Sequence, residues 1–329
     1  MINIAINGFG RIGRTFFRVL FNNPNYRVVV INDLSKIELL AHLLKYDSIH
    51  GKFPHQVSYA GNNLIVAGQK ITVINNNKKN NYPWIDFSID LVIESTGKCL
   101  TKKLAYNHIL SGAKRVILTA PPKEKGIKTV VLGVNDNEID NSDIILSNAS
   151  CTTNCAAPMI KTLNDNFEIE KAYVTTIHSY TTDQNLHDSN HHDLRRARSA
   201  PNSIIPTTTG AAKALSNIFP DISIGGCGIR VPVANGSLTD ITCIVKSEIN
   251  ANKLNQIFKN VSKSNLSGIL YYSEDPLVSV DILSSPYSCV FDSKLTYCLG
   301  NMIKIVGWYD NEFGYSSRLV DLIDIVYKK

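Results

Sequence analysis

The sequence lacks the features that mark membrane, secreted and zinc-ribbon proteins. It contains no run of 18 consecutive apolar residues, so no membrane-spanning helix is predicted. Its seven cysteines are an odd number without a CxxC pair, which removes the usual signature of zinc ribbons and thioredoxin-type redox centres. The first residues show no basic and apolar segments of a signal peptide. These absences predict a soluble, cytoplasmic protein with reduced thiols and no metal.

The sequence also has little excess of either charge. Its 34 Lys and Arg against 28 Asp and Glu give a net charge of +6 over 329 residues. This mild excess fits anionic small molecules as partners and does not predict a nucleic-acid groove or a membrane surface. The 44% content of hydrophobic residues excludes a disordered chain, and the length predicts two domains.

The first 33 residues read as strand, glycine turn, helix and strand. An apolar run at 2–6 precedes the turn, apolar residues recur at helical spacing up to Leu20, and a β-branched run follows at 28–31. Further short apolar runs lie at 91–93, 116–118, 130–132 and 144–146. This alternation predicts an α/β, doubly wound (Rossmann) nucleotide domain over residues 1–150.

After residue 150 the apolar segments become longer and alternate with polar residues. They lie at 172–177, 228–233, 238–245 and 302–308. This pattern predicts an α+β domain with a mixed or antiparallel sheet over residues 151–313. The amphipathic stretch from Tyr315 to Tyr327 predicts a helix near the end of the chain.

The glycine turn has the spacing of a dinucleotide-binding motif. Gly8 suits the tight turn, Gly10 lets the backbone approach a pyrophosphate, and Gly13 packs the helix on the strand. Asp33, twenty residues after Gly13, would accept hydrogen bonds from a ribose diol and repel a 2′-phosphate. The motif therefore predicts NAD, and the alternative is an ordinary tight turn without a ligand.

Cys151 and His178 are candidates for nucleophilic chemistry. Cys151 follows the run at 144–146 and begins a helix-like stretch, where the helix dipole favours a thiolate. His178 ends the run 174–177, and its imidazole would hold that thiolate as an ion pair and act as base or acid. A lone cysteine is otherwise most often a small buried apolar residue. The sequence alone does not bring the two side chains together.

Three polar segments each admit two interpretations. The segment from His187 to Asp193 has the residue types of a metal site, but a polar loop is favoured because ligand spacing is missing. The stretch from Asn75 to Asn81 is predicted as a solvated loop, with nucleotide recognition as the alternative. The third segment either recognises phosphate or is a solvated basic face. It comprises Arg195, Arg196, Arg198, Thr207–Gly210, Lys213 and Arg230.

Together these segments resemble the phosphorylating glyceraldehyde-3-phosphate dehydrogenase family from Ile4 to about Asp321. The motifs that carry the resemblance are Asn7–Arg14, Ala149–Cys155, His178–Thr181, Asp193–Arg198, Thr207–Lys213 and Trp308–Glu312. The resemblance implies oxidation and phosphorylation of D-glyceraldehyde 3-phosphate to 1,3-bisphosphoglycerate with NAD, in glycolysis and gluconeogenesis. It also implies a cytoplasmic homotetramer whose final helix, at about 314–329, packs back onto the nucleotide domain.

The resemblance also assigns roles to individual residues. Cys151 matches the nucleophile, which passes through a thiohemiacetal and a thioester, and His178 matches the general base. The residues that match contacts with the substrate phosphate and inorganic phosphate are Ser150, Thr152, Thr181, Arg196, Thr209, Gly210 and Arg230. Besides the three glycines, the residues that match NAD contacts are Arg11, Ile12, Asp33, Thr119 and Asn311.

The chain departs from the family pattern at three places. Ser189–Asn190 stands where many NAD-dependent relatives carry Leu-Pro, and resembles members that also accept NADP. Because Asp33 opposes a 2′-phosphate, NAD is expected, with NADP as a weaker cofactor. The stretch from Pro220 to Arg230 is about two residues shorter than in common relatives, which puts the placement of Arg230 in question. Asn77–Lys78 replaces an arginine near the adenine.

Two other functions stay open at the level of sequence. Erythrose-4-phosphate dehydrogenase shares the nucleotide and cysteine motifs, but Thr208–Ala212 follows the triose enzyme. The second is a catalytically silent binding protein with the same fold. The presence of both Cys151 and His178 argues against this second alternative.

Overall fold

A computed structural model of the chain describes residues 1–78 and 80–328, without the side chain of Lys328. The chain forms two compact units. The first comprises Met1–Val130, Glu138–Ala149 and the described residues from Ser316 onward, and the second comprises Val131–Asn137 and Ser150–Tyr315. Lys79 and Lys329, which belong to the predicted loop 75–81 and the predicted helix 314–329, lie outside the described residues.

The first unit is built on a nine-stranded sheet in the order β10-β11-β9-β8-β1-β2-β7-β6-β5. Its strands are β1 (Ile2–Asn7), β2 (Tyr26–Asn32), β3 (Tyr46–Asp47), β4 (Gly51–Lys52), β5 (Val57–Ala60), β6 (Asn63–Val66), β7 (Gln69–Ile74), β8 (Leu91–Glu94), β9 (Arg115–Leu118), β10 (Lys128–Thr129) and β11 (Ile145–Ser147). Its first three helices are α1 (Arg11–Leu20), α2 (Ile37–Lys45) and α3 (Lys102–Leu110). Strands β3 and β4 form a separate antiparallel pair.

The strands from β10 to β7 in this order are parallel, and β6 and β5 are added antiparallel at one edge. All four residues of β8 are buried, as are the last four of β1. Such apolar central strands are typical of a parallel sheet covered on both faces. The predicted doubly wound α/β fold is confirmed, and it brings the carboxyl ends of β1, β2 and β8 to one edge.

One predicted strand of this unit is wrong. The apolar run Val130–Leu132 is buried, but β10 ends before it, at Thr129. The chain turns here, since Val134 N–H donates to Val131 O at 3.1 Å and Gly133 has a φ of +76°. A buried apolar turn and a buried short strand have the same sequence pattern.

The final helix, α7 (Phe313–Lys328), belongs to the first unit from Ser316 onward. Tyr26 Oη on β2 donates to Asp324, and Tyr327 Oη donates to Asp90 O at 3.0 Å. Leu319, Leu322 and Ile323 on the same helix are fully buried. Hydrogen bonds and apolar burial thus attach α7 to the sheet of this unit.

The second unit contains an eight-stranded mixed sheet. Its strands are β12 (Ile169–Ser179), β13 (Ile205–Thr207), β14 (Ser223–Val231), β15 (Ser237–Val245), β16 (Leu270–Ser273), β17 (Cys289–Asp292), β18 (Tyr297–Leu299) and β19 (Met302–Tyr309). Its helices are α4 (Cys151–Phe167), α5 (Ala211–Ile218) and α6 (Ala251–Val261). Across both units, short 3₁₀ turns lie at Ile85–Phe87, Asp136–Glu138, Ala200–Asn202, Ser279–Ile282 and Ser293–Leu295.

This sheet runs β13-β14-β12-β15-β19-β17-β16, with β18 paired to β19. Only the β12–β14 and β16–β17 pairs are parallel, and the other described pairs are antiparallel. The predicted α+β unit with a mixed sheet is therefore confirmed. In the parallel pair of β12 and β14, His178 lies opposite Arg230, which sets the geometry of the site described below.

Candidate active site and dinucleotide cavity

The turn between β1 and α1 is shaped for a ligand that needs close approach to the backbone. Gly8 has a φ of +95°, and a Cβ placed there would lie 2.9 Å from the backbone of Ser95. A Cβ at Gly13 would lie 2.3 Å from Gly8 O, so α1 packs directly on the turn. A Cβ at Gly10 would meet no atom within 4 Å. Gly8 and Gly13 are thus required by the fold, whereas Gly10 faces open space.

That open space is a cavity of about 430 Å³, here called the β1–β2 cavity. It is lined by Asn7, Gly8, Gly10, Asn32, Asp33, Leu34, Asn76, Asn77, Lys78, Tyr82, Ser95, Thr96, Lys98 and Cys99. The first N–H groups of α1 have no partner within the helix, and they carry the positive end of its dipole. A glycine turn, a helix N-terminus and a carboxylate at one cavity fit a dinucleotide.

Asp33 is held in place by the turn itself. Its Oδ2 accepts a hydrogen bond from Phe9 N–H at 2.7 Å, and its Oδ1 accepts one from Ser35 N–H at 2.8 Å. A carboxylate has about four acceptor positions, so each oxygen keeps capacity for a further donor. The carboxylate is therefore oriented toward the cavity as a ready acceptor for a diol.

The other predicted cofactor contacts of this unit have different surroundings. The Arg11 guanidinium binds Asp47 through both terminal nitrogens, at 2.7 and 3.1 Å, so its side chain is already engaged. Ile12 lies in the first turn of α1, and because its side chain is apolar, only its backbone can form a hydrogen bond with a ligand. Thr119 follows β9, and both its N–H and its hydroxyl donate to Glu94 O.

The loop after β7 lines the cavity. The sequence favoured a solvated loop at 75–81 and did not predict this contribution. Asn76 N–H donates to Asn32 Oδ1 at 2.8 Å, and Asn32 Nδ2 donates to Asn76 O at 3.0 Å. These bonds fasten the loop to the end of β2. Asn77 and Lys78 consequently line the cavity.

A buried polar network stands behind this cavity. Trp84 Nε1 donates to His108 Nδ1 at 3.0 Å, which leaves the His108 proton on Nε2 to donate to Glu94 Oε2 at 3.0 Å. Asn7 Nδ2 donates to the same oxygen at 2.5 Å, while Thr96 donates to Glu94 Oε1. Burial acts to raise the pKa of Glu94, but the hydrogen bonds from its partners outweigh burial and lower it.

Glu94, Cys99 and His108 are the group of described residues whose ligand atoms lie near enough to hold a metal. A metal on His108 Nε2 would need the ring proton on Nδ1, which would then face the Trp84 N–H. Because two donors cannot pair, the indole fixes His108 as a hydrogen-bond donor to Glu94. The cluster is thus a hydrogen-bonded support beneath the cavity.

In the second unit, Cys151 is the first residue of α4, and Ser150 is its N-cap. Ser150 Oγ accepts from Thr153 N–H at 3.1 Å and contacts Thr153 Oγ1 at 2.7 Å. This cap satisfies one of the helix's unpaired donors. It places Cys151 at the positive end of α4 and commits the Ser150 hydroxyl to the helix.

The structure brings Cys151 and His178 together. Cys151 Sγ lies 3.4 Å from His178 Nε2. On the other side of the ring, His178 Nδ1 lies 2.7 Å from Ser179 O and 2.5 Å from Arg230 Nη1. Arg230 Nη1 also donates to Ser179 O at 2.9 Å. Despite the shortened stretch before it, Arg230 thus reaches the site, because β14 pairs in register with β12.

Burial favours the neutral forms of both side chains. Burial raises the pKa of Cys151 to about 11, although the charge of Arg230 and hydrogen bonds from Thr152 act to lower it. Burial and then the Arg230 charge lower the pKa of His178 to about 3. Burial thus acts against the charged form of each side chain, while the charge of Arg230 acts in favour of the thiolate and against the imidazolium.

Thr152, a predicted phosphate contact, has a side-chain hydrogen-bond partner within this unit. Its Oγ1 lies 2.8 Å from Tyr309 Oη, which in turn lies 2.9 Å from Thr176 Oγ1. Thr152 and Tyr309 are both buried, and both the backbone N–H and the side chain of Thr152 act on the Cys151 thiol through hydrogen bonds. Tyr309 belongs to the motif Trp308–Glu312, but the motif by itself does not indicate this supporting role.

The predicted phosphate-contacting residues of the segment 181–210 lie on two loops. Arg196 donates to Thr207 Oγ1 at 2.8 Å, to Thr208 O at 3.1 Å and to Asp183 at 2.5 Å. Thr181 N–H donates to Gln184 Oε1 at 2.9 Å. Thr209 Oγ1 accepts from Ala211 N–H at 3.2 Å, and Gly210 is the N-cap of α5. The Arg196 charge is thus partly balanced by carboxylates within the unit.

The histidine-rich segment 187–193 is a loop, as favoured from sequence. His191 and His192 stack with their ring centroids 4.3 Å apart, and His191 Nε2 lies 3.5 Å from Asp183 Oδ1. Among the described residues, the loop is not part of a group with metal-ligand geometry. Ser189 and Asn190, the departure from Leu-Pro, lie on the same loop.

Asn311 is oriented by two hydroxyl groups. Its Oδ1 accepts from Ser179 Oγ at 2.9 Å and from Ser237 Oγ at 2.8 Å. Because both bonds fix the carbonyl side of the amide, the NH₂ group is turned the other way. Asn311 therefore presents a donor in a defined direction.

Comparisons with known proteins agree with this architecture. Residues 2–102 match the model of the glyceraldehyde 3-phosphate dehydrogenase NAD binding domain, and residues 150–311 match that of the C-terminal domain. The chain is 47% identical over 326 residues to glyceraldehyde-3-phosphate dehydrogenase 2 of Bacillus subtilis (strain 168), covering 98% of this chain and 96% of the relative.

Two further relatives match over nearly their whole length. The glyceraldehyde-3-phosphate dehydrogenase of Mycobacterium avium is 47% identical over 336 residues, covering 99% of both chains. That of Geobacillus stearothermophilus is 46% identical over 332 residues, covering 100% of this chain and 99% of the relative. The chain therefore belongs to the glyceraldehyde-3-phosphate dehydrogenase family of NAD-dependent dehydrogenases.

Proposed function

We propose that the chain oxidises D-glyceraldehyde 3-phosphate to 1,3-bisphosphoglycerate with NAD and inorganic phosphate, with Cys151 as nucleophile and His178 as base. The observation that carries this proposal is the 3.4 Å contact between Cys151 Sγ and His178 Nε2 at the N-terminus of α4. A thiol and an imidazole within reach of each other are the minimal pair for covalent aldehyde chemistry.

In the first step, Cys151 Sγ attacks the aldehyde carbon and forms a thiohemiacetal, and the thiol proton passes to His178 Nε2. The backbone N–H of Cys151, at the start of α4, stabilises the oxygen that gains negative charge. The imidazolium returns its proton to this oxygen, so the thiohemiacetal carries a hydroxyl group and His178 is neutral again. During oxidation His178 accepts that hydroxyl proton, and a thioester remains on Sγ. A positioned base of this kind contributes about 10²–10⁴-fold in rate.

NAD, when bound, is the two-electron acceptor of this oxidation. Gly8, Gly10 and the N-terminus of α1 are proposed to hold its pyrophosphate, and Asp33 its ribose diol. The further cofactor contacts that we propose are Arg11, Ile12, Gly13, Thr119 and Asn311. Since the Asp33 carboxylate would lie next to a 2′-phosphate, NADP is proposed to bind more weakly, with Lys78 and Lys98 at the cavity reducing that repulsion.

In the second step, inorganic phosphate attacks the thioester, the acyl phosphate leaves, and the Cys151 thiol is restored. Arg196 and Arg230 are proposed to supply charge-assisted hydrogen bonds to the two phosphate groups. Ser150, Thr152, Thr181, Thr209 and Gly210 are proposed to contribute hydroxyl or backbone donors. For Ser150 and Thr152 the backbone is the better candidate, because their hydroxyls are engaged with Thr153 and Tyr309.

The test is NADH formation by the purified protein with D-glyceraldehyde 3-phosphate, with and without inorganic phosphate. Turnover should require phosphate and disappear in Cys151→Ser, while NAD binding is retained. Erythrose 4-phosphate run in parallel separates the alternative dehydrogenase. Robust turnover by Cys151→Ser would refute the assignment of the nucleophile, and NAD binding without reaction on either sugar phosphate would favour the binding protein.

We also propose a homotetramer in the cytoplasm. Leu186, Leu194 and Ile204 of the second unit are 67%, 84% and 70% exposed, and exposed apolar side chains in one segment are typical of an interface. All seven cysteines are free thiols, which suits a reducing compartment. No described helix is both long and apolar enough to cross a membrane. Light scattering should give the mass of four chains of 36.4 kDa.

A further inference from the structure

Three buried hydroxyl groups form a chain that leads to the sulfur of Cys151. Tyr309 Oη on β19 lies 2.8 Å from Thr152 Oγ1 on α4 and 2.9 Å from Thr176 Oγ1 on β12. The Thr152 hydroxyl also forms a hydrogen bond with Cys151. Because the side chains of Thr152, Thr176 and Tyr309 are all buried, protein atoms rather than bulk water satisfy these hydroxyls.

The hydrogen bonds of this chain can run in two directions, since each hydroxyl has a hydrogen to donate and lone pairs that accept. In the first direction, Thr176 donates to Leu238 O, 3.4 Å away, and Tyr309 donates to Thr176. The Thr152 hydroxyl must then donate to Tyr309 Oη. Only its lone pairs are left for the sulfur, and these suit a thiol that still carries its proton.

The second direction suits a thiolate. Thr176 donates to Tyr309, and Tyr309 donates to Thr152. The hydrogen of the Thr152 hydroxyl then points at the Cys151 sulfur. The change of direction requires only rotation about the C–O bonds, so no proton passes from one oxygen to the next. Tyr309 keeps its proton throughout, because burial and then the charge of Cys151 raise the pKa of its hydroxyl.

We propose that Tyr309 is a positioning residue for the nucleophile: its hydroxyl turns the Thr152 hydroxyl into a donor to the Cys151 thiolate. This inference rests on the proposed function, because it concerns the activation of the proposed nucleophile. Hydrogen bonds to a charged group are stronger than those between neutral groups, and the members of a chain strengthen one another. Because Tyr309 stands between Thr176 and Thr152, loss of its one oxygen interrupts the chain in the middle.

Other groups of the second unit act on the same sulfur and on Tyr309. His178 Nε2 on β12 lies 3.4 Å from Cys151 Sγ and is the proposed acceptor of the thiol proton. Arg230 on β14 acts on Cys151 through its charge, and backbone N–H groups at the start of α4 donate to the sulfur. Cys155 on α4 acts on Tyr309 by charge. The Tyr309 ring meets the His178 ring edge to face, and a phenylalanine keeps this contact.

The experiment measures alkylation by iodoacetamide across a pH series, without NAD or sugar phosphate, and the rate of Cys151→Ser is subtracted as the background of the other thiols. In Tyr309→Phe the midpoint of the profile should rise by about one pH unit, because the lost bonds favour the thiolate. Alkylation should then be about tenfold slower at each pH below the midpoint. The plateau above it should not change, whereas a merely structural role of Tyr309 would lower the plateau and leave the midpoint.

A double-mutant cycle shows whether Tyr309 acts through Thr152. Thr152→Val removes the hydroxyl and should also raise the midpoint. Addition of Tyr309→Phe to Thr152→Val should have no further effect, because the chain is already cut before the sulfur. Thr152→Ser keeps a hydroxyl, so it should keep both the unsubstituted profile and the response to Tyr309→Phe.

The matched control is Tyr297→Phe, which removes the same oxygen from an exposed tyrosine of β18 and should leave the profile unchanged. If Tyr309→Phe does not fold, Thr176→Val cuts the chain at its far end and should raise the midpoint in the same direction.

An unchanged midpoint in Tyr309→Phe, or in Thr176→Val where that variant replaces it, would overturn the inference. So would a Tyr309→Phe effect that persists in the Thr152→Val background. Normal phosphate-dependent turnover of the unsubstituted protein together with such a result would reject the role of Tyr309 alone, whereas absent turnover would reject the proposed function itself.

Discussion

Replacement of Glu94 by Gln tests whether the buried network behind the β1–β2 cavity has a fixed direction of hydrogen bonding. Trp84 donates to His108 and so fixes His108 as a donor to Glu94. From the other side, Asn32 Nδ2 donates to Asn7 Oδ1, which leaves Asn7 Nδ2 as a second donor to Glu94. Only a hydrogen-bond acceptor at position 94 can pair with both the His108 and the Asn7 donor.

The size of the effect follows from this arrangement. If the new NH₂ group faces His108 and Asn7, both lose their acceptor, and if it faces the other way, Thr96 N–H loses its 2.9 Å bond. The first orientation leaves two buried donors unpaired and the second leaves the part-buried Thr96 N–H unpaired, and an unpaired buried donor costs about 1–3 kcal/mol. At about 2–4 °C per kcal/mol for a unit of this size, the unfolding temperature should fall by roughly 2–12 °C.

The pH dependence supplies a second readout with a definite sign. The pKa of Glu94 is lowered from 4.5 in the folded chain, because the bonds from His108 and its other partners outweigh burial. The carboxylate thus stabilises the fold above about pH 4.5 and loses this contribution as the pH falls through the lowered value. The difference between Glu94→Gln and the unsubstituted protein should therefore narrow in acid.

The assay is thermal unfolding followed by calorimetry from neutral to acid pH. Glu274→Gln is the matched control, because it makes the same chemical change where the carboxylate is exposed and paired with Lys259. This control should change the unfolding temperature little, since exposed ion pairs are worth about 0–1 kcal/mol. Equal stability of the two variants, or a difference that does not depend on pH, would refute the fixed network.

Three further predictions concern the two sites. Gly13→Ala should lower stability by about 1–3 kcal/mol in thermal unfolding, because its Cβ would overlap Gly8 O, whereas Gly10→Ala should leave stability unchanged and weaken NAD binding in a titration. Asp33→Asn should raise kcat/KM for NADP relative to NAD, and an unchanged ratio would exclude Asp33 as the selecting group. His178→Asn should lower kcat by about 10²–10⁴-fold, and a loss below tenfold would contradict its role as base.

Much of the fold was predictable because its signals are local. The run from β1 through the glycine turn to β2 combines apolar periodicity with turn residues, and these depend on neighbours a few positions apart. The prediction of a strand at 130–132 was wrong because it also relied on a local signal. Apolar character indicates burial, but it does not distinguish a buried turn from a buried strand. Gly133, directly after this run, marked the turn.

The candidate site was predictable in its residue types and not in its contacts. Cys151 at a helix start and His178 at a strand end followed from sequence, but their 3.4 Å contact did not. The Thr152 hydroxyl, expected to meet phosphate, bonds to Tyr309, which is 157 residues away. Similarly, Glu94 and His108 carried no motif, because their pairing depends on how α3 packs on the sheet.

The sequence by itself determined the order of the elements, the dinucleotide turn and the kinds of side chain available for chemistry. These follow from steric and hydrophobic preferences over short stretches of chain. Tertiary structure decided which groups touch and which are charged. Pairing of β12 with β14 joins His178 to Arg230 across 52 residues, and burial, which depends on all surrounding elements, moves the pKa of Cys151 upward and that of His178 downward.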